Sequence, residues 1–351
     1  FKQKTAYEIM PSLVGSEMCI RDRFGGDDRF TSVIVTGSGT AANECVLSSV
    51  LKPSEEALVV SNGEFGERLA RILRIHGIKT HLLAFDWGQS IEIGQVEKKL
   101  AQTPAIRLVA VVFHETSTGM INPVKEIGLL AREHGKLFFV DAISAIGGEE
   151  VHVVEQEIDF CTGVPNKAVG GLPGISFICL RREALDSCKE AARRNDYLNL
   201  QDHVRIADHS LQTPHTPAVQ LFIALKEALD ELFEEGLDQR IERYRRCAQI
   251  LRRGIRGLGL QTLVPDEIAS NTVTSVFLPR SIPLEEFIDN LDEAGFVVYP
   301  GKGPLKEQNL FQVANMGQID EKACQEFLTA LRACLREFGY RAMGTLESTS
   351  S

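Results

Sequence analysis

The sequence predicts an α/β protein: a large domain whose mostly parallel sheet is covered by helices on both faces, then a smaller C-terminal α+β domain. Short apolar runs alternate with helical patterns of about ten residues, as in parallel sheets. The runs are apolar at consecutive positions, which indicates strands buried on both faces. The alternation ends near Pro217, where long helical patterns begin. We therefore expect domains at residues 24–217 and 218–339.

The strands of the large domain are predicted from runs rich in Val, Ile, Leu and Phe. They lie at residues 31–35, 57–60, 79–85, 107–113, 136–141 and 175–180, with a further short apolar run at 158–161. Helices are predicted up to about Val50, at 66–76 and at 123–133.

The small domain opens with two long helical patterns at 218–235 and 237–258. A strand at 272–278, a helix at 283–294, a short strand at 296–299, a strand near Phe311 and a helix at 321–338 follow. This mixed order is typical of an α+β domain. Residues 340–351 form a polar tail that we expect to be disordered.

Composition excludes several classes of function. The chain has 351 residues and a net charge of −10, which argues against nucleic-acid and anionic-membrane partners but not against a small anionic substrate. No apolar run approaches the roughly 18 residues that a membrane span requires. Eight cysteines lack metal-ligand spacing and mostly lie in apolar contexts, so we expect buried thiols in a reducing, cytoplasmic compartment.

The N-terminal segment, residues 1–23, is set apart from the fold. Residues 13–22 resemble the in-frame translation of a transposon-end adapter used in DNA sequencing libraries. We expect this segment to be foreign or displaced, and exclude it from the fold prediction.

An acid and a lysine are the most informative pair in the chain. Asp141 ends a predicted strand, and Lys167 follows the apolar run at 158–161 and precedes a glycine-rich turn. Pyridoxal phosphate (PLP) chemistry requires such a pair, because a lysine forms an imine with the cofactor aldehyde while a carboxylate keeps the pyridine nitrogen protonated. Taken alone, an acid at a strand end and a loop lysine are also common in unrelated proteins.

Residues 36–40, Thr-Gly-Ser-Gly-Thr, lie where a strand turns into a helix. Glycines let the backbone approach an anion, and the start of a helix offers free N–H groups. Ser38 and Thr40 add hydroxyl donors around Gly39, so the segment fits a phosphate cradle. An ordinary tight turn between strand and helix is the alternative.

Three further polar or aromatic positions follow predicted strands. Phe65 lies between glycines and either stacks on a cofactor ring or packs against the domain. Thr116, in the polar run 114–119, is a candidate donor to a cofactor hydroxyl, whereas His114 is interpreted as a packed loop histidine. Ser144 is either another donor or a helix cap.

These clusters all fall at the ends of predicted strands. In parallel sheets, ligand sites lie beyond the carboxyl ends of the strands. The convergence of residues 36–40, 114–119, Asp141, Asn166 and Lys167 on one sheet edge therefore favours a PLP site over unrelated turns.

The chain resembles the fold-type I, class V aminotransferases, and most closely the 2-aminoethylphosphonate:pyruvate transaminases. The resemblance depends on motifs in the same order at residues 37–40, 62–68, 115–123, 141–148, 166–174, 213–216 and 299–302. It implies the PLP transferase fold of type I, PLP as cofactor, a small primary amine and a small keto acid as substrates, and a homodimer with shared active sites.

The resemblance also implies a role for each matched residue. Lys167 would bind the cofactor aldehyde and carry the proton, and Asp141 would pair with the pyridine nitrogen. The remaining cofactor contacts would be phosphate binding by Ser38, Gly39 and Thr40, ring stacking by Phe65, contacts from Thr116 and Ser144, and reach to the neighbouring subunit's phosphate by Thr213 and Thr216.

The substrate site departs from the family pattern. Gln312 stands where the family has an arginine that binds the acceptor's carboxylate, and an amide lacks the charge and the fork of donors. The leading hypothesis is a PLP-dependent transaminase with Gln312 at the substrate. A PLP-dependent lyase, or an inactive truncated chain, is the alternative.

Overall fold

A computed structural model describes residues 20, 21 and 25–340 of the chain. Apart from residues 20 and 21, the predicted adapter segment lies outside the described residues, as does the tail beyond residue 340. The described chain forms two compact units. The first comprises the residues up to Glu115 together with Ile121–Ile241, and the second comprises Thr116–Met120 together with the residues from Glu242 onward.

The first unit is built on a seven-stranded sheet. The strands in this part of the chain are β1 (Phe30–Thr36), β2 (Glu56–Ser61), β3 (Thr80–Ala84), β4 (Ile106–Val112), β5 (His114–Glu115), β6 (Met120–Ile121), β7 (Leu137–Asp141), β8 (Phe160–Gly163) and β9 (Ile175–Arg181). All except β5 and β6 join the sheet, in the order β1-β9-β8-β7-β4-β2-β3. Only β9 runs against its neighbours, β1 and β8. The other pairs are parallel, which confirms the predicted mostly parallel sheet.

Helices cover both faces of this sheet. They are α1 (Gly39–Leu47), α2 (Glu64–Ile75), α3 (Ile93–Gln102), α4 (Val124–Glu133), α5 (Arg182–Asp186), α6 (Leu200–Ser210) and α7 (Val219–Glu235). Strand β4 shows the layering: Val109 and Val111 pack with α3, α4 and α7, whereas Leu108 and Ala110 pack with α1, α2 and α6. Because successive side chains point to opposite faces, both faces of a central strand must be apolar, as the continuous runs predict.

The boundary between the two units lies one helix further along the chain than predicted. The sequence predicts a boundary after residue 217, whereas the first unit extends to Ile241. The reason is the buried face of α7, where Phe222, Leu225 and Leu229 join the core of the first unit. Helix α8 (Leu237–Gly257) begins in the first unit and ends in the second.

The second unit has its own antiparallel sheet of β10 (Gln261–Thr262), β11 (Val273–Phe277), β12 (Tyr299–Pro300) and β13 (Leu310–Ala314), in the order β10-β11-β13-β12. Its helices are the end of α8, a 3₁₀ turn (Asp266–Ile268), α9 (Leu284–Glu293), α10 (Pro304–Glu307) and α11 (Glu321–Glu337). A separate core includes Leu251, Val276, Phe287, Phe311 and Leu331.

Three helices of the first unit were not predicted: α3, α6 and the short α5. Helix α3 buries only Val96 and Leu100, a stripe too narrow to stand out in the sequence. Helix α6 starts at a capping residue, since the Asn199 side chain accepts a hydrogen bond from the N–H of Asp202. The many polar residues of α6 leave no clear apolar stripe in the sequence, so the helix was not predicted.

The short strand predicted at residues 296–299 is wrong over most of its length. The N–H of Phe296 donates to the carbonyl of Leu291 and closes the end of α9, with Gly295 at a φ of 88°. Only Tyr299 of that run enters a strand, β12.

Candidate active site

The sheet topology brings the predicted chain segments to one edge of the first unit. Strands β2, β4, β7 and β8 are parallel, so their carboxyl ends lie together. Asp141, the last residue of β7, is aligned with Val112 of β4 and Thr162 of β8. Strand β1 ends at the same edge, where the N–H of Gly37 donates to the carbonyl of Gly174 at 2.9 Å. The ends of β1, β4, β7 and β8 therefore lie at one edge of the sheet, whereas residues 116–119 of the predicted convergence belong to the second unit.

Asp141 is the buried acid of this edge. Its Oδ2 accepts a hydrogen bond of 2.6 Å from the Asn43 amide, and its Oδ1 accepts one of 3.0 Å from the N–H of Ile143. Burial raises the pKa of Asp141 above its ordinary value, and these two hydrogen bonds oppose the rise. The positive charge of Arg68 also favours the ionised form. Each oxygen keeps a lone pair for a further donor.

Asn43 and Thr162 form a chain of hydrogen bonds that leads to this acid. The Thr162 hydroxyl donates to Asn43 Oδ1 at 2.7 Å, and both side chains are buried. Sequence reasoning missed these two residues as functional candidates. The available signal was a polar amide on the apolar face of α1 and a threonine at the end of β8.

Lys167 lies four residues beyond β8, in the segment that returns the chain to β9. The segment is held by backbone hydrogen bonds, from Gly171 to the carbonyl of Pro165 at 2.7 Å and from Gly170 to the carbonyl of Lys167 at 3.1 Å. It packs closely on Gly147, where a Cβ would lie 2.9 Å from the backbone nitrogen of Val169. The position of Lys167 is therefore fixed by backbone contacts on both of its sides.

The buried His114 lies close enough to Lys167 for the lysine charge to affect its pKa. Its Nδ1 lies 3.1 Å from the carbonyl of Ser144, so Nδ1 carries the proton and donates. Burial lowers the pKa of His114 to about 4; the hydrogen bond to Ser144 opposes this, and the charge of Lys167 lowers it further. The imidazole is therefore neutral at pH 7 and adds no second positive charge beside the lysine. Ser144 itself lies in a turn and not at the start of a helix.

The start of α1 has the geometry of an anion cradle. Ser38 precedes the helix with extended backbone and makes no side-chain cap. The N–H groups of Ala41 and Ala42 donate to the carbonyl of Ser38, whereas those of Gly39 and Thr40 bond to no other described residue. A Cβ at Gly39 would lie 2.5 Å from Ile143 Cδ1, so a larger residue there would require the Ile143 side chain to move. Gly37 has a φ of 149°, a conformation that favours glycine.

Phe65 lies in the first turn of α2, which begins two residues before the predicted start at residue 66. Its ring is half-buried and has the Arg68 guanidinium 4.6 Å from its centre. The Glu115 carboxylate accepts hydrogen bonds from the N–H groups of Phe65 and Gly66, at 3.3 and 3.1 Å, and so caps α2. Stacking of Phe65 on a cofactor stays a prediction.

Thr213 and Thr216 lie in the first unit, between α6 and α7. The Thr213 hydroxyl donates to the carbonyl of His215 at 2.6 Å, and the His215 ring stacks on Tyr197 at 4.7 Å. Thr216 is exposed. Their reach to a neighbouring subunit stays a prediction.

Gln312 and Thr116 belong to the second unit. The Gln312 amide nitrogen donates to the carbonyls of Thr116 and Ser117, at 2.9 and 3.1 Å, and lies 2.9 Å from Ser275 Oγ. An amide has two N–H donors, so both are already engaged. Binding of a substrate carboxylate by this amide would require it to release the backbone of residues 116–117.

The described part of the chain contains no helix that is both long and apolar enough to cross a bilayer. Among the same residues, no group of three or more His, Cys, Asp or Glu could hold a metal ion. The seven cysteines at described positions are free and buried, as the sequence predicts for most of them.

Comparison with known proteins shows the family. The family model described as Aminotransferase class-V matches residues 19–318. The 2-aminoethylphosphonate--pyruvate transaminase of Phocaeicola vulgatus is 35% identical over 312 residues, which cover 87% of this chain and 84% of the relative. The protein of the same name from Salmonella schwarzengrund has the same identity and coverage.

Solved structures agree with the fold. Ureidoglycine-glyoxylate aminotransferase from Bacillus subtilis superposes with a TM-score of 0.87 at 28% identity, covering 95% of this chain and 87% of that protein. Pyridoxamine-pyruvate aminotransferase from Mesorhizobium loti, at 24% identity, has a TM-score of 0.88 over 96% of this chain and 86% of that protein. These findings confirm the resemblance of the sequence motifs, and the chain belongs to the class V aminotransferase family.

Proposed function

We propose that this protein is a PLP-dependent transaminase that moves the amino group of 2-aminoethylphosphonate to pyruvate. The observation that carries the proposal is the 35% identity, over most of both chains, to transaminases named for those two substrates. The presence of a lysine, a buried acid and an anion cradle in one unit supports it.

The residues present fit PLP. The cofactor has an aldehyde, a ring nitrogen and a phosphate, and the first unit offers a chemically matching group for each. Lys167 supplies an amine for the aldehyde, Asp141 a carboxylate for the ring nitrogen, and the α1 start a set of N–H donors for the phosphate. Glycine at position 39, which lies close to Ile143, leaves that start without a side chain.

Bound PLP supplies an electrophilic aldehyde and an aromatic ring that takes up the electron pair left when the substrate's Cα–H is broken. We assign the proton transfer to Lys167 Nζ, which in its uncharged form would take the proton from the substrate's Cα and deliver it to the former aldehyde carbon of the cofactor. His114 is neutral, so it adds no positive charge that would repel the proton held by Lys167 Nζ. The Asp141 carboxylate favours a proton on the ring nitrogen, and α1 binds the phosphate dianion at its positive end.

We further propose a homodimer with shared active sites, acting in the cytoplasm. The dimer is implied by the roles assigned to Thr213 and Thr216. The seven buried free thiols at described positions support a reducing compartment.

The proposed reaction has a direct test. Purified protein with added PLP is supplied with 2-aminoethylphosphonate and pyruvate, and alanine and the phosphonate aldehyde are followed by mass spectrometry. We expect both products in equal amounts, with none from the Lys167→Ala variant. Release of ammonia without alanine would contradict transamination and favour a lyase. A lyase is the alternative because Gln312 replaces the arginine that binds the acceptor in the family.

A second expectation concerns the acceptor. Gln312→Arg keeps donors for the carbonyls of Thr116 and Ser117 and adds a charge that can pair with a carboxylate. We expect kcat/KM for pyruvate to rise by about 10- to 100-fold, the value of a charged hydrogen bond. Gln312→Lys, which adds charge without the planar fork, is the control and should gain less. Unchanged kcat/KM in the arginine variant would mean that position 312 does not meet the acceptor.

A further inference from the structure

The hydrogen-bond chain Thr162–Asn43–Asp141 has only one consistent polarity. An ionised carboxylate accepts but cannot donate, so the Asn43 amide must turn its nitrogen toward Asp141 Oδ2. Asn43 Oδ1 then faces away and needs a donor, which the Thr162 hydroxyl supplies. If the amide were turned over, two acceptors would face each other at 2.6 Å, which is repulsive. The Thr162 hydroxyl can donate or accept, and by donating it satisfies the amide oxygen in the orientation that an ionised acid requires.

The three residues lie on rigid elements. Asn43 is on the buried face of α1, about one turn after the residues of the predicted phosphate cradle. Thr162 lies in β8 and is aligned directly with Asp141 of β7. One helix thus carries both the cradle and the amide that contacts the acid, so the spacing between them is set by secondary structure and not by a loop.

The acid depends on these contacts because it is buried. Asp141 is 5% exposed, and its carboxylate accepts hydrogen bonds from the Asn43 amide and the Ile143 N–H. Burial favours the neutral form of such a group, and each donor to it favours the charged form. A protonated Asp141 would still accept a hydrogen bond but would no longer offer a charge to a protonated ring nitrogen.

We propose that Asn43, aligned by Thr162, is a positioning residue that holds the Asp141 carboxylate ionised and in one orientation for the ring nitrogen of PLP. The proposal rests on the function proposed above. It assigns to Asn43 a role that acts through Asp141 and not through direct contact with substrate. Thr162 acts one step further away, and its effect should be smaller than that of Asn43.

The test compares PLP with its deaza analogue, in which a carbon replaces the ring nitrogen. Dissociation constants of both are measured by fluorescence for wild type, Asn43→Leu and Thr162→Val. We expect Asn43→Leu to weaken PLP binding about tenfold, as for loss of a hydrogen bond to a charged group. Binding of the deaza analogue should not change. Thr162→Val should shift PLP affinity in the same direction by less, and Thr162→Ser should restore it.

Ser49→Ala is the matched control. Ser49 is a buried hydroxyl that also bridges two groups, but these are the backbone of Leu198 and of Leu200 and not the Asp141 carboxylate. The substitution should leave the affinity ratio of the two ligands unchanged. Equal weakening of both ligands in Asn43→Leu would show a merely structural role and overturn the proposal, as would unchanged PLP affinity.

A readout on the apoprotein separates this proposal from the proposed function. Loss of the Asn43 amide should raise the Asp141 pKa further, so the destabilisation of Asn43→Leu relative to wild type should grow between about pH 5 and pH 8. A difference in melting temperature that is the same at both pH values would contradict the proposal even if wild type transaminates. Failure of wild type to bind PLP, with the pH-dependent difference present, would instead contradict the proposed function.

Discussion

Replacing Lys167 with alanine is expected to lower the rate of amino transfer by at least about 10⁴-fold, because the variant loses both the covalent anchor and the proton carrier. The substitution should be tolerated by the fold. The segment around Lys167 is held by backbone hydrogen bonds of Gly170 and Gly171 and not by the lysine side chain alone. The loss should therefore be chemical, with the melting temperature of the apoprotein almost unchanged.

Two measurements check this expectation. Added PLP should give wild type an absorbance band near the visible edge that Lys167→Ala lacks, and product formation should fall in parallel. Lys189→Ala, which removes an exposed lysine paired with Asp186, is the control and should behave as wild type. Retention of the band and of turnover in Lys167→Ala would place the reactive amine elsewhere.

Replacing Asp141 with asparagine is the second large effect that we expect. The variant keeps the size of the side chain but loses the charge that favours a protonated ring nitrogen. We expect kcat to fall by about 100-fold, which corresponds to roughly 3 kcal/mol, the upper range for a charged hydrogen bond. Asp159→Asn is the control, because Asp159 is a buried acid in the same unit that pairs with Arg181. It should affect stability more than the chemical step.

The same substitution should change stability with pH in a defined direction. Burial raises the pKa of Asp141 in the folded protein. When the pKa of a carboxyl group is higher in the folded protein than in the unfolded chain, its ionisation destabilises the fold. The full stability is present below the unfolded-state pKa and is lost as the pH rises through the folded-state pKa. The amide that Asp141→Asn introduces cannot ionise, so the melting temperature of the variant relative to wild type should increase from about pH 4 to pH 8. An acid that costs stability when ionised and yet is required for turnover is a functional residue. A relative stability that falls with pH would contradict this reading.

Most of the first unit's fold could be predicted because its signal is local. Continuous apolar runs such as residues 108–113 can only be buried strands or helices, and their length and β-branched content favour strands. In parallel sheets, ligand sites lie beyond the carboxyl ends of the strands. This rule predicts from the sequence that Asp141 and the segment of Lys167 lie at one edge. The boundary between the units was less predictable, because the apolar stripe of α7 does not say which core it joins.

The supporting residues of the site could not be predicted, because their contacts join distant parts of the chain. Asn43 meets Asp141 across 98 positions, and Thr162 meets Asn43 across 119. Glu115 caps α2 from 49 positions away, at Gly66. Gln312 drew attention as a missing arginine, whereas its bonds to the backbone of residues 116 and 117 have no sequence signal. Such contacts depend on register and rotamer, which patterns of single residues do not encode.

The central claim is that Lys167 is the amine that binds PLP at the edge where Asp141 is buried. Reduction of the PLP-loaded protein with borohydride, followed by proteolysis and mass spectrometry of the peptides, locates that amine directly. We predict a single pyridoxyl-modified peptide that contains Lys167, with the label lost in Lys167→Ala. Modification of a different lysine, or no modification of the loaded protein, would contradict the account.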